Sequence, residues 1–286
     1  MLRSLSSGVS GIQQFQNRLD VIGNNIANSN TIAFKAARTD FADAFSQTLQ
    51  VSSASSSGSG QAGMQVGSGV ITSSVKNIFT QGALNRTGVG TDMAIDGDGF
   101  FIVKDPISNS EYATRAGDFR IDSNNYLITN KGLRVQGWTN AALGSRGDIQ
   151  IDAQNIPATT SPTATLTTFS IGRDGSVNVH MNDGTEYVRG VVMLQRFTDP
   201  QALLKEGDNL YSGIAAAGPL GGATPLSESP GTNGLGYIES SALELSNVDL
   251  ANEFASLIAT QRGFQACARI ITTSDEILQE LVNLKR

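Results

Sequence analysis

The sequence predicts an α+β protein in which long N- and C-terminal helices pair as a coiled-coil-like stalk around an inserted all-β domain. Both ends carry apolar residues at alternating spacings of three and four, whereas the middle has a period of two broken by short turns. A Ser/Gly-rich tract marks the boundary between the two patterns. We therefore divide the 286 residues into a terminal helical core (1–45 and 245–286), a flexible linker (46–63) and a β domain (64–244).

The N-terminal helix has an apolar ladder that ends in a cluster of turn-forming residues. That cluster, Ala27-Asn28-Ser29-Asn30-Thr31, is expected to stop the helix. The ladder has the spacing of a helix–helix seam, and Phe15 widens it. Its predicted interface residues are Leu2, Leu5, Val9, Ile12, Leu19, Ile22 and Ile26.

The C-terminal helix has the same spacing over a longer stretch and is expected to run to the end of the chain. Asn247 and Asp249 precede it as capping residues, and no proline interrupts it. Its predicted interface residues are Leu250, Phe254, Leu257, Phe264, Ile271, Leu278 and Val282. A second, mostly apolar set runs beside them at the same spacing and comprises Cys267, Ile270, Ser274, Ile277, Leu281 and Leu284. The apolar face is therefore wider than one partner helix can cover, which indicates assembly of several copies.

The middle of the chain reads as a β domain. Phe34 to Phe45 is expected to form a short helical or extended link, and the Ser/Gly-rich tract Ser52–Gly63 a flexible linker. From Met64 onward, short runs rich in β-branched and aromatic residues alternate with turn signals such as Asp96-Gly97 and Asn182-Asp183-Gly184. An antiparallel sandwich or barrel is expected, with a loop over Gly213–Gly236 leading back to the C-terminal helix.

Composition excludes several classes of protein. Charged residues make up 16 % of the chain with a net charge of −6 and no basic block, so nucleic acid is not an expected partner. No run of about 18 apolar residues is present, and therefore membrane insertion is not expected. The amphipathic N-terminus is unlike a secretory signal, so secretion by a cleaved signal peptide is not expected. The single cysteine, Cys267, reads as a small core residue.

Four short motifs could suggest other chemistry. Gly58, Gly60 and Gly63 fit G-x-G-x-x-G, yet they follow a serine tract rather than a strand. Asp92, Asp96 and Asp98 lack the spacing of a calcium loop and read as a hairpin turn. His180 is the only histidine and has no associated nucleophile, and Arg146-Gly147-Asp148 is a three-residue match that arises by chance. We expect no catalytic, cofactor or metal site; an adhesin-like binding module stays an open alternative.

Several short segments of the sequence resemble the hook and rod axial proteins of the bacterial flagellum. They are Leu19–Asn28, then Thr31-Ile32-Ala33-Phe34-Lys35 with Ala33 where that family usually has glycine, and Asp92–Phe101. The C-terminal words, Ser246–Leu250, Gln261–Gln265 and Asp275–Leu278, are most similar to the hook member of the family. The chain is short for that member, so the distal rod subunit is kept as the alternative.

The resemblance implies a structural subunit that polymerises into a hollow helical tube, the flagellar hook, linking the basal-body rod to the filament for motility. The terminal helices would line the tube and the β domain would form its outer wall. The implied partners are copies of the chain itself, the hook cap protein, the distal rod protein, the hook–filament junction protein and the flagellar export apparatus. The implied location is extracellular, in the hook or basal body.

Overall fold

A computed structural model describes residues 2–52, 62–139, 145–152, 165–220 and 228–284, with side chains from Leu5 onward at the N-terminus. The chain forms two compact units. Unit 1 comprises Met1–Ser29, Ala36–Ile78 and Val248–Arg286. Unit 2 comprises Asn30–Lys35 and Phe79–Asn247.

Unit 1 contains the two long helices, α1 (Leu2–Ala27) and α2 (Leu250–Leu284). α1 ends where the turn-forming cluster predicts. Asp249 caps α2, because its Oδ1 accepts hydrogen bonds from the N–H groups of Ala251 and Asn252 at 2.9 and 3.3 Å. Helices at both ends with a largely β region between them confirm the coarse fold. The coiled-coil geometry stays a prediction.

Two antiparallel strand pairs, which we call the ribbon, complete unit 1. Strands β1 (Ala37–Asp43) and β2 (Ser46–Gln50) pair with β4 (Val70–Asn77) and β3 (Met64–Gly67) respectively. The expected link before Phe45 is therefore mostly a strand, and residues 46–50 pair with β3 instead of belonging to the linker. The reason is long-range pairing, which composition does not encode. Ser53–Gln61, most of the predicted flexible tract, lies outside the described residues, and the three-part domain division stays a prediction.

Unit 2 is built on antiparallel β-structure, as the period of two predicts. Among the described residues, one sheet has the strand order β13-β14-β15-β11-β7-β8-β18-β17, with β9, β10, β12 and β16 attached at its side. Two further pairs are β5 with β20 and β6 with β19. The bounds are β5 Leu84–Arg86, β6 Met93–Asp96, β7 Phe100–Lys104, β8 Glu111–Thr114, β9 Arg120–Ile121, β10 Leu127–Ile128, β11 Arg134–Trp138, β12 Arg146–Asp148, β13 Leu166–Ile171, β14 Ser176–Met181, β15 Glu186–Val192, β16 Leu194–Gln195, β17 Leu204–Gly207, β18 Leu210–Ser212, β19 Tyr237–Ser240 and β20 Ala242–Glu244.

Two apolar clusters form the core of unit 2. The larger contains inward-facing residues of the central strands, among them Phe101, Val135 and Val192. The smaller is aromatic, and its Phe100 ring meets the rings of Phe197 and Tyr211 edge to face at 5.5 and 6.1 Å between centroids. The region expected as a loop over Gly213–Gly236 makes bridges at its described ends, from Pro219 to Phe197 and from Glu228 to Leu194.

Candidate assembly surface

The two helices of unit 1 pack antiparallel at close range through glycines. A Cβ added at Gly263 of α2 would lie 2.7 Å from the Phe15 ring of α1, and one added at Gly11 would lie 2.9 Å from Cys267 Sγ. Because these positions carry no side chain, the helix backbones can approach each other. Cys267 is thus packed in this seam, in agreement with its reading as a small core residue.

The predicted interface residues divide into three groups by exposure. Ile22 is buried within unit 1, and eight others are half-buried: Leu5, Ile12, Leu19, Ile26, Leu257, Phe264, Ile271 and Leu278. Four are exposed: Val9, Leu250, Phe254 and Val282. The side chain of Leu2 lies outside the described residues. The predicted stripe is therefore partly used inside the subunit, and its role between subunits stays a prediction.

α2 presents a second exposed apolar surface beside the seam. Its members, together with the exposed members of the predicted stripe, are Leu250, Phe254, Ile258, Ile270, Ile277, Leu281, Val282 and Leu284. Fully burying each such side chain is worth about 1.5 to 3 kcal/mol, so the helix has a large unused driving force for association. Of this set, Ile258 was missed by sequence reasoning, although it follows Phe254 at a spacing of four.

The ribbon adds an apolar surface that sequence reasoning did not identify. Phe45 is 85 % exposed and Val51 is 77 % exposed. The remaining members are Leu49, Met64, Val66, Ile71 and Val75. Their alternation along the strands was visible in the sequence, but alternation predicts a buried face and cannot tell whether the same chain or a neighbour buries it. Exposed patches of this kind mark interaction sites.

Asn25 is the polar centre of unit 1. It is 1 % exposed, and its side chain bonds both backbone groups of Ala37, donating to the carbonyl at 2.8 Å and accepting from the N–H at 3.0 Å. Its Nδ2 also donates to Glu253 Oε1 of α2 at 3.0 Å. One side chain therefore joins α1, β1 and α2. The available signal was an asparagine pair, a poor helix former, inside a predicted helix.

Exposed ion pairs lie on strands β1 and β4 of the ribbon, apart from its apolar side chains. Asp40 accepts from Lys76 and from Arg38, each at 3.0 Å. The hydrogen bond from Lys76 is the main cause that lowers the pKa of Asp40, and Arg38 adds to it. Such exposed pairs contribute little to stability, so they orient the strand surface more than they hold it together.

A buried ionic cluster is the polar centre of unit 2. Lys35 Nζ donates to Glu244 Oε1 at 2.6 Å and to the Thr80 carbonyl at 2.7 Å, and both charged side chains are fully buried. Glu244 also accepts from the Gly82 N–H at 2.8 Å, and Arg115 lies 3.5 Å from its second oxygen. Burial lowers the pKa of Lys35, and the Glu244 carboxylate opposes that shift. Glu244 follows buried Ala242 by two residues on β20 and so lies on the same face of the strand, which was the signal for an inward-facing acid.

The motifs that could suggest other chemistry are engaged in local structure. His180 lies on β14, 3.4 Å from Ser170 Oγ and 3.7 Å from Glu186. Arg146 pairs with Glu111 at 2.8 Å, and Asp148 pairs with Arg134 at 2.8 Å, so the tripeptide is part of a sheet.

The acidic motif lies wholly within the described residues, whereas the glycine-rich motif is described only in part. Asp92 accepts from Thr87 Oγ1 at 2.5 Å. Within the described residues, no group of three or more histidine, cysteine or acidic side chains is placed to hold a metal. Of the Gly-rich motif, Gly58 and Gly60 lie outside the described residues.

A surface cleft of about 360 Å³ lies in unit 2. Its walls include Thr31, Asp118, Asn130 and an ion pair between Lys131 and Asp208. No histidine or cysteine lines its described part. Separately, neither described helix has an apolar stretch long enough to cross a bilayer.

Comparisons with known proteins match both ends and the middle of the chain. Residues 5–35 match the family described as flagella basal body rod protein, and residues 239–284 match flagellar basal body rod FlgEFG protein C-terminal. Residues 94–179 match the flagellar hook protein FlgE/F/G D1 domain.

Full-length relatives come from several bacteria. The chain is 42 % identical to the flagellar basal-body rod protein FlgG of Bacillus subtilis (strain 168), covering 100 % of both chains. It is 34 % identical to FlgG of Buchnera aphidicola subsp. Acyrthosiphon pisum, covering 99 % of this chain and 100 % of that one. It is 28 % identical to the flagellar hook protein FlgE of Borreliella burgdorferi, covering 100 % of both.

One solved structure, the hook protein FlgE2 of Helicobacter pylori, is only distantly similar. Its TM-score is 0.22 at 12 % identity, covering 65 % of this chain and 47 % of that one. The relatives do not support the expected preference for the hook member, and the rod alternative fits them better. The resemblance to the wider family is confirmed, and the chain belongs to the family of flagellar basal-body rod and hook axial proteins.

Proposed function

We propose that this chain is the subunit of the distal rod of the flagellar basal body, a structural polymer needed for motility. The observation that carries the proposal is the full-length match to a rod protein at 42 % identity over 287 aligned positions. The match to a hook protein spreads 28 % identity over 449 positions, so that relative contains long segments with no counterpart here. The family is structural, and the chain is not an enzyme.

Polymerisation follows from the surfaces that the subunit leaves uncovered. The exposed side of α2 and the exposed side of the ribbon are different surfaces, so packing of one on the other between neighbouring copies would be heterologous. Heterologous contacts that do not close into a ring generate a helical filament. The half-buried predicted residues, such as Leu257 and Ile271, are shared between the α1–α2 seam and this interface. The proposed partners are further copies, the neighbouring axial segments and the flagellar export apparatus.

The hook cap, the hook–filament junction protein and a separate distal rod partner were implied by the hook reading alone. They are not carried over. Export without a cleaved signal and a location in the flagellum outside the cytoplasm stay part of the proposal.

Charge placed on the exposed side of α2 tests the assembly surface. Ile258→Asp and Leu281→Asp are expected to abolish sedimentable polymer and motility, because each puts a carboxylate where an apolar contact is proposed. Asn283→Asp adds the same charge at an exposed polar position of α2 and is the matched control. Far-UV circular dichroism of the monomers should be unchanged in all three. Normal polymers from both apolar variants would show that this side of α2 faces solvent.

Labelling of the polymer in isolated hook–basal bodies separates rod from hook. A small tag on the exposed β7–β8 turn at Ile107 is expected to be found between the ring-enclosed basal body and the hook. Label along the curved hook would overturn the distal-rod assignment while leaving the assembly surface intact.

A further inference from the structure

The segment Asn30–Lys35 crosses unit 2 as a short strap that has no regular secondary structure of its own. Its second half is nevertheless deeply buried: Ala33 and Lys35 are fully buried, and Phe34 is 3 % exposed. Phe34 lies beneath Lys205, whose Nζ is 3.9 Å from the centre of the ring. The strap is therefore an integral layer of unit 2 although it is contributed from far away in the sequence.

The β17–β18 turn and the end of unit 2 together hold the strap at three successive positions. Asn209 Nδ2 donates to the Ile32 carbonyl at 2.6 Å, and the Ala33 N–H donates to the Glu244 carbonyl at 2.8 Å. The Asn247 N–H donates to the Phe34 carbonyl at 3.4 Å. Its local backbone bond is a turn from the Phe34 N–H to the Thr31 carbonyl at 3.3 Å, so the order of the strap depends largely on these contacts to the rest of unit 2.

The Lys35–Glu244 ion pair joins the strap to β20. A buried ammonium without a counterion is strongly disfavoured, so Lys35 has no stable buried position until Glu244 is in place. Glu244 differs, because the Gly82 N–H and the Arg115 guanidinium also contact its carboxylate. The dependence therefore runs in one direction: β20 can join the unit before the strap, but the strap cannot close before β20.

The strap also stores backbone strain. Ala33 has φ = 56°, in the left-handed region that non-glycine residues avoid. Strain of this kind persists only where surrounding contacts hold it, and the contact to Ala33 itself comes from the Glu244 carbonyl of β20. A strained segment without helix or sheet structure of its own is a candidate for opening independently of the sheet behind it.

We propose that Asn30–Lys35 is a strap that closes on unit 2 only after β20 has joined it, with the Lys35–Glu244 ion pair as its latch. The ion pair thereby fixes the first segment of unit 2, the strap, after β20 near the end of the unit is in place. For a subunit that is delivered unfolded, as the proposed function implies, this order prevents the first segment from docking on an incomplete β unit. Closure of the strap involves contacts within one chain, so it can be measured in the monomer, apart from any polymer.

Hydrogen exchange on the full-length monomer separates a latch from a general stabilising contact. Lys35→Met is expected to accelerate exchange of the Ala33 amide by about 10- to 150-fold, the loss of a hydrogen bond to a charged group. The amides of β14 should exchange as in the wild type. Lys104→Met removes a half-buried lysine at the end of β7 in the same unit and is the matched control, with no change at Ala33. Equal acceleration in strap and sheet, or none in either, would overturn the latch.

Two further measurements keep the test decisive if Lys35→Met folds poorly. Glu244→Gln leaves Lys35 without its counterion and is expected to open the strap, and the double variant should show less than the sum of the two effects. In pulse-labelled refolding of the wild type, the Ala33 amide should become protected with or after the Leu245 amide, which bonds the Ala83 carbonyl. Protection of Ala33 before Leu245 would contradict the proposed order.

Discussion

Asn25 is a single buried amide that satisfies both backbone groups of Ala37 and reaches Glu253 on α2. Lys35 has an equivalent place in unit 2, where it joins Thr80 and Glu244. Both residues lie in the stretch that resembles the family words, and neither can be replaced by a group of similar size without leaving polar atoms unpaired. At the scale of residues, these two side chains connect segments that are distant in sequence.

Asn25→Ala is expected to lower the free energy of unfolding of unit 1 by about 2 to 4 kcal/mol, because it removes three hydrogen bonds and leaves the Ala37 backbone groups unpaired. Chemical denaturation followed by far-UV circular dichroism measures this. Asn17→Ala, an exposed position on the same helix, should change the value by less than about 0.5 kcal/mol. Equal effects of the two substitutions would show that Asn25 is not the centre of unit 1.

Asp118 gives a pH-dependent prediction. Burial raises the pKa of this carboxyl, and the nearby Asp92 adds to the shift, whereas Asn130 opposes it by donating at 2.6 Å. A raised folded-state pKa contributes stability that is fully present below the unfolded value and is lost as the pH rises through the folded value. Asp118→Asn should therefore be more stable than the wild type at pH 7, and the difference should shrink toward about pH 4. Parallel pH profiles of the two proteins would contradict this.

At the scale of elements, the two helices depend on glycine at specific places. Glycine lowers helix propensity, yet Gly11 and Gly263 lie where a Cβ would collide with the opposite helix. Gly23 of α1 is different, since nothing lies within 4 Å of its added Cβ. The same residue type therefore serves packing at one position and has no packing role at another.

Gly263→Ala and Gly23→Ala are expected to have opposite effects. Gly263→Ala should destabilise unit 1 by about 1 to 3 kcal/mol, because the methyl group would displace the Phe15 ring, which packs edge to face on Phe41. Gly23→Ala should stabilise it by up to about 1 kcal/mol through helix propensity alone. Thermal unfolding of the two variants measures both. Stabilisation by both would show that the helices are not in close contact at Gly263.

At the scale of the whole molecule, the boundary between the units differs from the predicted one. The ribbon belongs with the helices in unit 1, and the strap with Lys35 belongs to unit 2. A β domain that begins at residue 64, as the sequence suggested, would therefore lose Lys35, the ion-pair partner of Glu244. Truncation experiments must respect this division.

Two fragments test the division. Residues 79–247 and 30–247 should both fold cooperatively and neither should polymerise, since each lacks α1 and α2. The longer fragment should have the higher melting temperature because it keeps the strap, and Lys35→Met should remove most of that advantage. Polymer formation by either fragment would mean that the helices are not required for assembly.

The sequence by itself determined the helices at both ends, the β character of the middle, the absence of a motif for catalysis and the family. These are properties of short stretches, where spacing, turn residues and capping act within a few positions of each other. It did not distinguish rod from hook, because the short motifs that carry the resemblance are shared by both members of the family.

Tertiary structure alone decided which apolar residues the subunit buries itself. Ile22 is covered within unit 1, whereas Phe254 and Val282, on the same predicted ladder, are exposed. It also decided that residues 46–50 pair with β3 and that Lys35 meets Glu244. The physical reason is that periodicity specifies a face but not its partner, and a contact between residues some 200 positions apart has no local pattern.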